Sequence, residues 1–541
     1  MKMNKIKLNL NDTLAVVTLV FFTIHQIFYI SKGGTTWDDF AIYYTTNRIL
    51  SKAQLFFTDR SNPFLGDFDF NLEFYGYFVP IIIFFLTELI LKYNFFQLFL
   101  TEVLNAEIYN KLDLIFVLRN VLISFYTVIV LTFIYRLLSK KTNKSFGLSF
   151  LIFLLLTPSF NGHAMFNIKD IPFLLHYFLA ALLILDFKIY EIKISKNSFF
   201  RLIFYGLIFG LVVLVRFNGY AFLLMLSFYM FLTKFKKNIE NFKFVLFNWS
   251  FIYLVSFIFL ILFSPSAWGK PTTWLKGLYE TQFNIDWLGS TLTNGTYIKA
   301  TEMESSYLVS WFLHKLPLNL LIGFILFILI FIFNKFNFSN ISNFSLYFII
   351  LVFFTFSIFR PIAYDGIRQF LFLIPFFVIL FIEVLNYLKK YLSFNIYLII
   401  FLISVGYLIY TQKSLGEYKY VYFNEIVNEE EVSINCNLIG GCGKWETDYW
   451  GYSIKSLSKD FLEIENIQFC EPSHIFNIYS KQKLVNLETK QVYIASLNRK
   501  LDYSLCPSFV YRLTDCAIYS KEVAYLRGHE VNLSFIYKCG K

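Results

Sequence analysis

The chain reads as long apolar runs separated by short polar connectors. The runs cover about 14–30, 113–138, 146–160, 172–187, 201–217, 219–233, 243–264, 313–333, 344–359, 370–388 and 394–411. Runs of this kind predict α-helices that cross a hydrocarbon layer about 30 Å thick. Lysine collects in alternate connectors. Lys140, Lys141 and Lys144 form one, and Lys188, Lys193, Lys196 and Arg201 the next. Lys234, Lys236, Lys237 and Lys243 follow, then Lys335, then Lys389 and Lys390. With these connectors in the cytoplasm, the positive-inside rule holds along the whole chain. The further apolar run Tyr77–Leu91 would invert everything after it if it crossed. It is therefore expected to be re-entrant or interfacial, inside a long first outward loop of about 32–112. The reading is an α-helical polytopic membrane protein of about eleven spans, with residues 1–411 as the transmembrane domain. Lys2, Lys5 and Lys7 precede the first run and no small-x-small cleavage site follows it. An uncleaved first helix with a cytoplasmic N-terminus is expected.

Beyond Gln412 the pattern changes. Residues 412–541 are polar and mixed, with alternating stretches such as Lys490-Gln491-Val492-Tyr493-Ile494. They predict a small α/β or mainly β domain, placed outside the cytoplasm by the span count. All six cysteines lie in this segment: Cys436, Cys442, Cys470, Cys506, Cys516 and Cys539. An even number confined there predicts up to three disulfides in an oxidising compartment. Charge bias and cysteine placement agree on one topology, a cytoplasmic (inner) membrane protein with a periplasmic or extracytoplasmic C-terminal domain. No Cys-x-x-Cys pair is present, so zinc is the weaker reading.

Composition supports this reading. The 541 residues are 57% hydrophobic and 16% charged, with mean hydropathy +0.56, which excludes an ordinary soluble domain. The net charge of +11 reflects retained cytoplasmic lysine. No basic, aromatic-interleaved soluble domain is present, so no nucleic-acid partner is expected.

Candidate chemistry gathers on the outward side. Asp38 and Asp39 follow the first span in Gly33-Gly34-Thr35-Thr36-Trp37-Asp38-Asp39. His163, Lys169 and Asp170 lie in a short outward connection, and Arg216 ends a span at the same face. Arg360, Tyr364, Asp365 and Arg368 form another connection, and loop 265–312 carries Trp268, Lys270, Trp274, Glu302 and Glu304. Singly, each cation has a plain explanation as a group snorkelling to the headgroups, His163 as a hydrogen-bonded loop residue, and Asp38 and Asp39 as a solvated acidic pair. Together they suggest a site that binds an anionic membrane lipid and activates a hydroxyl-bearing molecule. No metal site and no cofactor are expected.

These residues carry a resemblance. Trp37-Asp38-Asp39 looks like the Asp-Glu pair in the first outward loop of the GT-C membrane glycosyltransferases. The match is to the bacterial relatives of protein O-mannosyltransferases, glycosyltransferase family 39. Asn167-Ile168-Lys169-Asp170-Ile171-Pro172-Phe173 is similar to that family's Asn-Pro-Lys-Asp-Ile-Pro-Phe run, with Ile168 in place of proline. Tyr364-Asp365-Gly366-Ile367-Arg368-Gln369-Phe370-Leu371-Phe372 resembles its Tyr-Asp-Gly-x-Arg-His-Phe-Leu-Phe run, with Gln369 in place of histidine. Tyr418–Asn424 and Trp445-Glu446-Thr447-Asp448-Tyr449-Trp450-Gly451 resemble two later runs of one bacterial branch. The resemblance implies a GT-C-like fold and a mannosyltransferase-like hexosyltransferase. The enzyme would move a sugar, with inversion, from a polyprenyl-phosphate carrier to a hydroxyl acceptor on the outer face. The acceptor, whether glycan, lipid or protein, stays open. Asp38, with Asp39, is the implied base. Lys169, Arg216 and Arg368 are read as the donor-phosphate groups, and His163, Asp170, Tyr364 and Asp365 as further site residues. The alternative is a transporter or flippase of a lipid-linked sugar, which favours charge near the bilayer midplane and repeated halves.

Overall fold

The computed structural model describes residues 9–58, 71–104, 106–185, 196–234, 242–283, 289–333, 338–433, 443–461, 464, 467–470, 472–480, 492–498 and 516–539. Lys2, Lys5, Lys7, Lys188, Lys193, Lys236, Lys237, Lys335, Cys436, Cys442, Lys490, Gln491 and Cys506 lie outside them.

Each of the eleven apolar runs is helical. The first is Leu10–Ile30 (α1), capped by the Asn9 side chain. The long first connection is not loop: it holds Trp37–Thr58 (α2), Phe78–Leu91 (α3) and Asn94–Leu98 (α4). There follow Lys111–Lys141 (α5), Lys144–Leu156 (α6), Pro158–His163 (α7), Asp170–Leu185 (α8), Lys196–Val215 (α9), Gly219–Lys234 (α10), Phe242–Leu262 (α11) and Pro271–Phe283 (α12). Then come Tyr307–Lys315 (α13), Leu318–Phe333 (α14), Asn340–Phe359 (α15), Ile374–Leu388 (α16) and Phe394–Lys413 (α17).

Among the described residues, six stretches are long and apolar enough to cross a membrane unaided: Leu10–Ile30, Lys111–Lys141, Lys243–Leu262, Asn340–Phe359, Arg368–Leu388 and Phe394–Lys413. Two bent pairs raise the number to eight. One falls on the run Tyr77–Leu91, where Phe78–Leu91 meets Phe96–Val103 at 97°, the geometry of a broken span or of a re-entrant element. Four of the eleven expected spans are shorter apolar helices. Run 146–160 shows why: Pro158 opens α7 and Thr157 before it is extended, so α6 stops after 13 residues.

Apolar side chains face both the interior and the outside. Helices α8 and α16 are buried on every side. Helices α1, α14 and α17 bury one stripe and expose Val17, Phe21, Ile325, Leu329, Leu402 and Ile403. Apolar side chains facing out over full helix length fit a hydrocarbon surrounding.

The second bent pair is closed from the C-terminal side. Helices α13 and α14 meet at 118°, with Leu316 extended before Pro317. The break frees carbonyls that lipid cannot satisfy. The Asn424 amide donates to Leu313 O at 2.6 Å and Leu316 O at 2.8 Å, and its backbone N–H donates to His314 O at 2.8 Å.

After α17 the chain runs back over the helices. Tyr418, Tyr420–Phe423, Trp445, Tyr449, Trp450 and Tyr452 join the same apolar cluster as the helices. Glu430–Ser433 (α18), Ile454–Phe461 (α19) and Ser473–Tyr479 (α20) accompany two sheets. Ser290–Thr293 (β1) and Thr296–Lys299 (β2) form a hairpin between α12 and α13. Ile467–Phe469 (β3), Val492–Leu497 (β4), Cys516–Leu526 (β5) and His529–Cys539 (β6) form a mixed sheet of order β3-β4-β6-β5. The β5–β6 turn is Arg527-Gly528, both at positive φ, the geometry a tight hairpin requires. Cys516 pairs with Cys539 as a disulfide at the open end of that hairpin, and Cys470 is also disulfide-bonded. One side of the domain packs on Ile115 and Phe116 of α5.

Gly162 is where α7 meets the returning chain. A Cβ there would sit 2.3 Å from Tyr420 N and 2.8 Å from Lys419 C. Gly162→Ala is expected to lower unfolding stability by about 1–3 kcal/mol, because the obstacle is backbone. Gly406→Ala in α17 meets nothing within 4 Å and should leave stability unchanged or raise it by about 0.4–1 kcal/mol. Thermal unfolding of both variants in detergent checks the contrast.

Candidate active site

Helix α2 starts at Trp37, just after Thr36, and its first turn carries both acids of the sequence pair. Asp39 reaches back to accept the Thr36 N–H at 2.7 Å, a capping-box arrangement. Its other oxygen pairs with Arg119 of α5. Asp38, one position earlier, faces another way and accepts Arg368 Nη2 at 2.7 Å. Adjacent acids thus have separate environments, since successive helical positions do not share a face. The Asp38 side chain is 33% exposed, against 2% for Asp39, 3% for Asp170 and 17% for Asp365. Among these four, Asp38 is the carboxylate most open to a substrate.

Arg368 is the centre of the cluster. Its Nη1 donates to Asp365 Oδ2 at 2.6 Å, and its Nε lies 3.5 Å from Asp170 Oδ2. The guanidinium carbon is 4.1 Å from the Trp450 ring centroid and 5.3 Å from that of Tyr364. Asp365 and Gly366 both have positive φ, at 58° and 68°. This left-handed turn, held by Thr291 Oγ1 and the Tyr307 hydroxyl, brings Asp365 back onto Arg368.

Asp170 is fixed by local sequence. The Asn167 side chain accepts the Asp170 N–H and donates to Asp170 Oδ2, each at 2.8 Å, so Asn167 caps α8. The other Asp170 oxygen pairs with Arg216 at the end of α9. His163 stands behind this turn. Its Nε2 is 3.1 Å from the Tyr449 hydroxyl and its Nδ1 is 3.3 Å from Asn167. Burial lowers its pKa to about 3, so it is a neutral hydrogen-bonding group.

Lys169 differs from the arginines. It is 9% exposed. Among the described residues no carboxylate lies within ion-pair distance of its ammonium. The ammonium sits 4.9 Å from the Tyr75 ring centroid and 5.1 Å from that of Tyr77. Burial lowers its pKa to about 8, with Asp38 acting in the opposite direction. Segment 73–77 is placed by Glu73, which pairs with Lys52 at 2.9 Å and Arg48 at 3.2 Å. At Gly76 a Cβ would meet the Leu214 and Val215 carbonyl oxygens at 2.2 Å, so only glycine lets the segment dock on the end of α9.

Asp38, Asp39, Lys169, Asp170, Arg368, Thr36 and Trp450 line one small recess. Connections that follow three different helices, α1, α7 and α15, meet there, with the returning C-terminal segment closing one side. Arg216 joins through Asp170, Asp365 and Tyr364 through Arg368, and His163 through Asn167. Arg360, the C-cap of α15, is exposed. Lys144 pairs with Asp12 near the start of α1, and Asp38 follows the end of the same helix, so the two clusters occupy opposite ends. Arg119, Tyr75, Tyr77 and Trp450 were not singled out from sequence as site residues. Arg119 had a usable signal, an ionisable residue inside an apolar run. Thr36-x-x-Asp39 is a helix-start pattern.

No protein-family profile matches the chain, and no curated protein matches it. Among solved structures the chain is similar to the crystal structure of ArnT from Cupriavidus metallidurans bound to undecaprenyl phosphate. The identity is 10%, the TM-score 0.48, and the alignment covers 96% of this chain and 97% of that one.

Removing Arg119 leaves Asp39 as a buried charge without its cation. Arg119→Leu should cost about 3–5 kcal/mol in stability. Adding Asp39→Asn keeps an acceptor for the Thr36 N–H and removes the charge, so the double variant should recover part of that loss in thermal unfolding.

Proposed function

We propose that the chain is a GT-C-type glycosyltransferase that moves a sugar, with inversion, from a polyprenyl-phosphate carrier to a hydroxyl acceptor. The observation that carries this reading is Lys169, a buried ammonium between two tyrosine rings with no carboxylate partner among the described residues. A buried cation without a partner is costly. A phosphate arriving there removes that cost and forms charge-assisted hydrogen bonds. Asp38 and Arg368 line the same recess.

In this mechanism the donor phosphate sits against Lys169. Asp38 takes the proton of the acceptor hydroxyl as its oxygen attacks the anomeric carbon from the face opposite the phosphate. The bond from the anomeric carbon to the phosphate oxygen breaks, and the polyprenyl phosphate leaves with both electrons. Lys169 stabilises the departing charge. Arg368 orients Asp38 and adds positive potential. Arg216 acts through Asp170, and Asp39 through the start of α2. The oriented set of connections and the disulfide-bonded domain beside them support a site on the outer face. The ordered likeness of Asn167–Phe173 and Tyr364–Phe372 to family 39 runs supports a hexose as the sugar. Asp38→Asn should lower transfer from a polyprenyl-phosphate hexose by about 10²–10⁴, with the protein still folded. Lys169→Met should lower it by about 10²–10³. Wild-type protein that consumes no member of a donor panel, while a control enzyme does, would refute the reading.

A further inference from the structure

Among the described residues, the C-terminal segment lines the recess through Trp450. Asp448 builds the turn that presents it, accepting the N–H of Gly451 at 2.9 Å, of Tyr452 at 3.3 Å and of Ser453 at 3.0 Å, and the Tyr420 hydroxyl at 2.6 Å. Trp450 then makes two separate contacts. Its carbonyl accepts the N–H of Trp37 at 2.8 Å, the residue immediately before Asp38. Its ring, in a side chain buried to 3% exposure, covers the Arg368 guanidinium at 4.1 Å. Phe166 backs that ring at 5.3 Å between centroids, so the indole has little freedom to move away.

Arg368 has carboxylates at its edge in three directions, from Asp38, Asp170 and Asp365. Carboxylates bind a guanidinium in its plane. They do not stop it tilting out of that plane, whereas an aromatic face does. We infer that Trp450 is a positioning residue of the transfer site, fixing the tilt of Arg368 and thereby the aim of Asp38 into the recess. The C-terminal segment is then part of the transfer machinery as well as a cover over it. The inference rests on the glycosyltransferase reading for its kinetic consequence, and on geometry alone for the contact.

Side-chain substitution separates the two contacts, because the bond to Trp37 uses only the main chain. The experiment takes full-length protein in lipid as wild type, Trp450→Leu and Trp450→Phe. Two quantities are measured: donor turnover, and labelling of Arg368 by phenylglyoxal read by mass spectrometry. Trp450→Leu should label faster at Arg368 and lower kcat by roughly ten- to thirty-fold, the worth of a desolvated cation–aromatic contact. Acceptor KM should stay near wild type, while the unfolding midpoint falls with the packing lost around a buried indole. Trp450→Phe restores an aromatic face and should return both readouts to within about threefold of wild type. Arg368 labelling that does not change in Trp450→Leu overturns the contact. Faster labelling with wild-type kcat overturns the positioning role. A wild type that labels as expected yet consumes no donor leaves the contact standing and refutes the transferase reading, and the positioning role with it.

Discussion

The site is held together by one guanidinium. Arg368 meets Asp38, Asp170 and Asp365 along its edge and Trp450 on its face. These four partners come from α2, α8, the 360–368 connection and the returning C-terminal segment. Three carboxylates this close repel one another unless a delocalised cation lies among them. The arrangement of helix ends therefore depends on Arg368 as much as the chemistry does. Lysine, a compact point charge, does not offer the planar fork that serves three acids at once. The Asp170–Arg216 and Asp39–Arg119 pairs repeat the device on either side, so each acid around the recess is matched to an arginine.

Against that background the unmatched group is informative. Lys169 sits in the same short turn as Asp170 yet points to aromatic faces. Aromatic rings compensate a buried ammonium only partly, at about 0.5–2 kcal/mol, which leaves it receptive to an anion. Tyr75 and Tyr77 also line a second recess, with Phe217, Leu260, Phe263, Trp274 and the acid Glu73.

Much of this was legible in the sequence. The apolar runs gave the helices, and alternating lysine connectors put Asp38, Lys169, Arg216 and Arg368 on one side, where the fold does bring them together. Legibility failed where polarity misled. Residues 37–58 look like loop by composition, yet form α2, because Thr36 and Asp39 cap it and Glu73 neutralises Lys52 against it. Pro158 divides one apolar run into two helices, which the run of apolar residues alone does not reveal. Arg119 sits mid-helix in an apolar run, where its charge is visible but its partner, 80 residues away, is not. Trp450 was visible within a motif, but nothing local to residues 445–451 says that its ring covers an arginine on another element. Long-range pairings of this kind are set by tertiary packing, and no periodicity encodes them.

The central claim is that an anion takes the place beside Lys169, and the protonation of that lysine gives a direct test. Burial holds its pKa near 8, below that of a free lysine. The ammonium is therefore present below that pH and is lost as pH rises through it. The measurement is binding of a polyprenyl phosphate to the full-length protein in lipid, from pH 7 to pH 10, for wild type and Lys169→Met. The account predicts an affinity that falls above about pH 8, approaching tenfold per pH unit, and a weak, pH-independent affinity in the variant. Equal affinities for the two proteins, flat across that range, would contradict it.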